Sequence, residues 1–151
     1  MGSIPTRDKW RPGTAPAKVA WLRMLKLVRE LGRASAVPVE RAGLSMAQFV
    51  ALARVGEAPG RSQGELAEWL GVTEGNASQV VGRLEAAGLV ERRADRRAYR
   101  LFITDGGRQK LRELMPDHDA AIAEHFSVLT KAEQRQLASL LRKLYRAHEA
   151  P

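Results

Sequence analysis

The stretch from Ser62 to Thr104 permits few folds, because helix starts, helix stops and turn signals follow one another at very short intervals. Ser62 and Glu65 stand in the S-x-x-E relation, in which the hydroxyl accepts from a free amide of the first turn and the carboxylate reaches back to the cap residue's N–H. Gly71 is expected to close that helix, since glycine takes left-handed backbone at little cost, and Thr73 caps the next one after Val72 alone. Between Thr73 and Ala87, the residues Ala77, Val80, Val81 and Leu84 fall at i, i+3, i+4 and i+7 and form one apolar stripe. Gly88 ends this second helix. Leu89 to Ile103 then reads as two strands with a turn at Ala94-Asp95-Arg96, the return strand placing Tyr99, Leu101 and Ile103 on one face.

The face of the second helix opposite the stripe carries Gly75, Gln79, Gly82, Arg83 and Ala86, flanked by Asn76 and Ser78. Apart from Arg83 it is small and amide-bearing. Interior glycine costs about 1 kcal/mol of helix stability relative to alanine, so the two glycines are either tolerated or mark a surface approached closely by a partner. The hairpin that follows carries Arg92, Arg93, Arg96, Arg97 and Arg100 against only Glu91 and Asp95. Helix, tight turn, helix and basic hairpin is the order that sets one helix in the major groove of DNA with an arginine loop beside it. The expected major-groove residues are Asn76, Ser78, Gln79 and Arg83, with the Gln79 amide suited to adenine and the Arg83 fork to guanine or phosphate. Arg97 is assigned to the minor groove, Arg93 and Arg96 to the DNA backbone, and Asp95 to holding the loop in shape. The cap residues Ser62 and Thr73 are counted in the same DNA-binding set.

The segment resembles the winged helix-turn-helix of the MarR family of bacterial transcriptional regulators. The resemblance rests on Gly71-Val-Thr73, on the run Val80-Val-Gly-Arg83-Leu-Glu85-Ala-Ala-Gly88-Leu-Val-Glu-Arg-Arg93, and on Asp95-Arg-Arg97 followed by Ile103-Thr104. It departs in two places: Ala94 alone separates Arg93 from Asp95, where relatives commonly have a longer loop containing proline, and Gly82 stands where aspartate is frequent. The resemblance implies a DNA-binding repressor released by a small aromatic or anionic effector. In such a protein the effector lodges between the dimer helices and the winged domain, where Trp21 and His118 are the candidate lining residues.

The flanks fit that scheme. Trp21, Met24, Leu25, Val28 and Leu31 recur at helical spacing from Ala17 to about Ala36, where Pro38 is expected to stop the helix. Ser45 to Gln48 caps a helix carrying Phe49, Leu52 and Ala53. Thr104 opens a long helix striped by Leu111, Leu114, Met115, His118, Ile122, His125 and Phe126, and Thr130 to Glu133 caps a last one lined by Leu137, Leu140, Leu141, Leu144 and Tyr145. Apolar stripes at both ends of a small chain call for a partner, and a second copy is the commonest. The expected fold is mainly α with a small β-hairpin wing, an α+β winged helix-turn-helix over 44–104. Residues 17–43 and 105–151 form a helical homodimerisation region, and residues 1–16 a flexible basic arm. A two-fold dimer would read an inverted repeat with half-sites about 34 Å apart.

A net charge of +8 and a sequence pI near 10.6 suit a polyanionic partner, double-stranded DNA in this reading, although charge alone separates DNA from neither RNA nor an anionic membrane. No apolar run approaches the roughly 20 residues that span a bilayer, and no secretory segment opens the chain, so a cytoplasmic protein without membrane contact is expected. The chain has no cysteine, which removes disulfides, thiol-based sensing and zinc thiolate sites. No G-x-S-x-G elbow, phosphate loop or H-E-x-x-H is present, and neither an enzyme nor a cofactor is expected. The rival class is an architectural winged helix that binds DNA or RNA without sequence preference.

Overall fold

The computed structural model describes residues 15–96 and 98–149. Nearly all of the expected basic arm, and Arg97, therefore lie outside the described residues. The elements are α1 (Pro16–Arg41), α2 (Met46–Glu57), β1 (Arg61–Ser62), α3 (Gln63–Leu70), α4 (Glu74–Ala86), β2 (Val90–Asp95), β3 (Ala98–Ile103), α5 (Asp105–Phe126) and α6 (Lys131–Glu149). This is the mostly helical winged-helix architecture, with a three-stranded antiparallel sheet in the order β1-β3-β2.

Local chemistry sets most of the boundaries. Ser45 and Gln48, and likewise Ser62 and Glu65, form reciprocal capping boxes at the starts of α2 and α3. Gly71 closes α3 in the left-handed conformation, φ 66° and ψ 33°. The Thr73 hydroxyl accepts from the Asn76 N–H to open α4, and Gly88, at φ 71°, follows its end. The stop expected at Pro38 is overturned: α1 continues through this proline to Arg41. Its end comes at Gly43, φ 79°, where the Leu44 N–H returns to the Val39 carbonyl at 3.2 Å. An interior proline costs about 3 kcal/mol, but the extra turn carries Val39 to complete burial beside Leu44. That burial recovers roughly 1.5–3 kcal/mol.

Behind the sheet, one core joins Phe49, Leu52 and Val55 of α2, Leu66 of α3, Val81 and Leu84 of α4, Val90, Leu101 and Ile103 of the strands, and Leu114 of α5. The β2–β3 ladder extends outward to the pair Asp95–Ala98, so Ala94 and Asp95 belong to β2 and not to the turn expected at 94–96. Tyr99 shares the inner row with Leu101 and Ile103 but is 61% exposed, since there the hairpin has run past the helices. β1, absent from the sequence reading, pairs Arg61 with Leu101 and Ser62 with Arg100. The root of the wing is fixed to α5: the Thr104 hydroxyl donates to the Gly88 carbonyl at 2.6 Å and accepts from the Gly107 N–H at 3.0 Å. A Cβ on Gly107 would overlap the Leu89 carbonyl oxygen and lie 2.7 Å from Ile103 Cγ1, so only glycine fits.

The terminal helices are less covered. α1 packs on α5, yet Trp21, Leu25 and Val28 of α1, Ile122 of α5, and Leu140, Leu141, Leu144 and Tyr145 of α6 are exposed. Among the described residues, no helix is long and apolar enough to cross a membrane.

Candidate nucleic-acid interface

α4 is two-sided by its sequence, and the fold uses both sides. Ala77, Val81 and Leu84 are fully buried, which turns Asn76, Gln79 and Arg83 outward into solvent; Ser78 and Gly82 lie half-buried at the edge. Nothing comes within 4 Å of a Cβ built on Gly82, and at Gly75 only the Thr73 hydroxyl oxygen does, at 3.9 Å. Internal packing therefore requires neither glycine. Among the described residues Arg83 has no carboxylate partner, so its five donors are available to an external acceptor.

The wing divides its arginines by strand geometry. Successive side chains alternate between faces, so Val90, Arg92 and Ala94 share the inner row with Leu101 and Ile103, while Glu91, Arg93 and Asp95 face outward with Arg100 and Phe102. Arg92 thus faces the helices and is part-buried. Its Nη2 donates to Gln63 Oε1 at 3.1 Å and to the Ser78 carbonyl at 3.3 Å, and its Nη1 lies 3.4 Å from Glu85 Oε2. On the outer face Arg93 donates from Nε to Glu91 at 2.7 Å and stacks over the Phe102 ring, 4.3 Å from its centroid. Arg100 donates from Nε to Asp95 at 3.0 Å and lies 3.5 Å from Glu65. Asp95 is therefore a brace on the strand behind it.

Arg96, at the tip, has φ 52° and is the non-glycine residue with positive φ among those described. It has no carboxylate partner among the described residues. Ser62 is engaged in its capping box, with its N–H donating to Glu65 at 2.7 Å and its hydroxyl accepting from the Glu65 N–H at 3.1 Å. Glu65 gathers the supports: the Ser62 backbone N–H above all, then the Arg61 guanidinium at 2.8 Å, hold its carboxyl down from an ordinary 4.5 to about 2.

Arg92 carries no role of its own in the sequence, where it is one of five hairpin arginines, although the alternation from Val90 already signals its inward position. The candidate effector residues are not brought into one cleft. Trp21 lines a groove with Met24, Leu141 and Tyr145 between α1 and α6. His118 packs instead against Phe49, with ring centroids 4.7 Å apart. Among the described residues no three His, Asp or Glu side chains are placed to share a metal ion.

The MarR family model matches residues 42–100, which is the stretch from the end of α1 to the wing. A helix-turn-helix transcriptional regulator of Bacillus cereus is 30% identical over 130 residues, covering 85% of this chain and 88% of its own. The transcriptional repressor MprA of Escherichia coli is 36% identical over 83 residues, 53% of this chain and 47% of its own. Among solved structures, the MarR-family regulator Sco3205 of Streptomyces coelicolor, crystallised in complex with DNA, superposes with a TM-score of 0.80 at 26% identity. That match covers 95% of this chain and 94% of the other.

Proposed function

Since the chain belongs to the MarR family of transcriptional regulators, we propose that it is a sequence-specific repressor that binds an inverted-repeat operator in double-stranded DNA as a homodimer. α4 enters the major groove, where Asn76, Ser78, Gln79 and Arg83 meet base edges, Gln79 reading adenine and Arg83 guanine or phosphate. Thr73, Ser62, Arg93 and Arg96 lie along phosphates, and Arg97 takes the minor groove. The observation that carries this reading is the exposed row of amides, with a guanidinium that has no carboxylate partner among the described residues, on a helix whose other side is core. The exposed apolar residues of α1, α5 and α6 support the dimer, because contiguous apolar surface of this kind is covered in stable proteins. Occupying a promoter in this way excludes polymerase. A small aromatic or anionic effector entering between the dimer helices and the winged domain would shift the spacing of the two reading helices and release the DNA.

Selection of duplexes from a random pool tests the proposal. An inverted repeat bound at least ~1,000-fold more tightly than random duplex at the same salt is expected of a specific regulator. A ratio near one would instead assign the protein to architectural binding.

A further inference from the structure

We propose that Arg92 is a positioning residue for DNA reading: a strut that locks the wing to the recognition helix, so that α4 and the hairpin meet DNA as one rigid surface. The inference rests on the DNA-binding reading above and deepens it. Arg92 stands on the inner row of β2, its side chain only 24% exposed, and its guanidinium spans three elements. It reaches Gln63 at the start of α3, and on α4 both the Ser78 carbonyl and the Glu85 carboxylate. Ser78 and Glu85 lie seven residues apart, two turns along one side of the helix. A planar fork can serve acceptors in several directions at once, which a lysine point charge cannot.

Two features argue that this is not a stabilising contact alone. Arg92 stands at the edge of the core, opposite buried Leu101 and beside buried Val90, with exposed Ala94 and Tyr99 beyond it, and an apolar side chain there would cover the same core edge without the cost of partly burying a charge. Moreover, Arg92 Nε is buried without an acceptor, so the arrangement leaves a donor unsatisfied. What the charge adds is a fixed angle between wing and reading helix, and its contact at Ser78 falls within the expected base-reading segment. Where wing and helix meet one duplex, their joint register decides how well a correct site is told from a wrong one.

The test uses a duplex selected by the full-length wild-type chain and a random duplex of equal length. Arg92→Met fills the inner row with apolar atoms and is expected to retain the thermal midpoint. The ratio of selected to random affinity should fall tenfold or more, with the salt slope unchanged, because no phosphate contact is lost. A slope reduced by about 0.9 per subunit would make Arg92 a phosphate ligand and overturn the proposal, as would an unaltered ratio in folded protein. Glu85→Gln serves as the second variant, with an intact core and a more positive surface. If Glu85 anchors the strut, random-duplex affinity holds or rises while selected-duplex affinity drops; a parallel rise in both refutes the strut. Failure of the wild-type chain to select any duplex would instead sink the DNA-reading proposal itself.

Discussion

Arg96→Asn should move stability and DNA affinity in opposite directions. At φ 52° the Arg96 backbone lies in the left-handed region, which costs an L-residue other than glycine roughly 1–2 kcal/mol. Asparagine is several-fold enriched there and avoids the extra unfolded-state entropy that glycine would bring. Recovering about half of the strain gives the variant ~0.5–1 kcal/mol, or a rise of about 1–4 °C in midpoint for a chain of this size. The same change removes a tip cation with no carboxylate partner among the described residues. If that cation sits on a phosphate, the slope of log affinity against log salt shrinks by about 0.9 for each tip engaged. Thermal unfolding by circular dichroism and a salt series of fluorescence anisotropy titrations read the two effects on one preparation. A lower midpoint would refute the argument from backbone strain, and an unchanged slope would remove the wing tip from the DNA.

Gly82→Ala places a methyl in open space on an interior helical position, so the fold should gain about 1 kcal/mol; if DNA approaches that backbone, affinity for a selected duplex drops, and equal affinity would show the glycine to be merely tolerated. Gly107→Ala drives a methyl into the Leu89 carbonyl and Ile103 and should cost at least ~3 kcal/mol in urea unfolding. Because the Glu65 carboxyl titrates lower in the folded chain than in the unfolded one, its contribution is complete above about 4.5 and disappears as pH falls toward about 2. Glu65→Gln, which keeps the capping pattern, should therefore be less stable than wild type at neutral pH and converge with it in that acid window. Leu140→Asp places a charge on the exposed apolar face of α6 and should shift sedimentation from dimer to monomer; an unchanged mass would move the interface elsewhere.

Features decided by neighbours in sequence were legible without coordinates. The capping pairs at Ser45, Ser62 and Thr130, the helix ends at Gly71 and Gly88, and the buried stripe of α4 each depend on residues within two turns. The misses depend on distant partners. Nothing local to Pro38 discloses that Val39 has a core to enter, and the two residues of β1 are too few for any period to register. Arg92 was hidden differently: a run of arginines reads as one charged loop until strand alternation divides it into inner and outer rows. For Trp21 and His118, spacing gives the helix face, while the neighbours they meet within the chain, α6 and α2, come from the fold.

The absence of cysteine makes the groove assignment directly measurable, because a single introduced thiol is the only one in the chain. Glu74→Cys on the first turn of α4 and Ala98→Cys on the wing, each carrying an iron-chelate cleavage reagent, can be bound separately to a selected duplex. Two cleavage patches are expected for each label, centred about one helical turn apart, with the α4 label cutting from the major groove and the wing label from the flanking minor groove. Uniform cleavage along the duplex, or cleavage from only one of the two labels, would contradict the groove assignment.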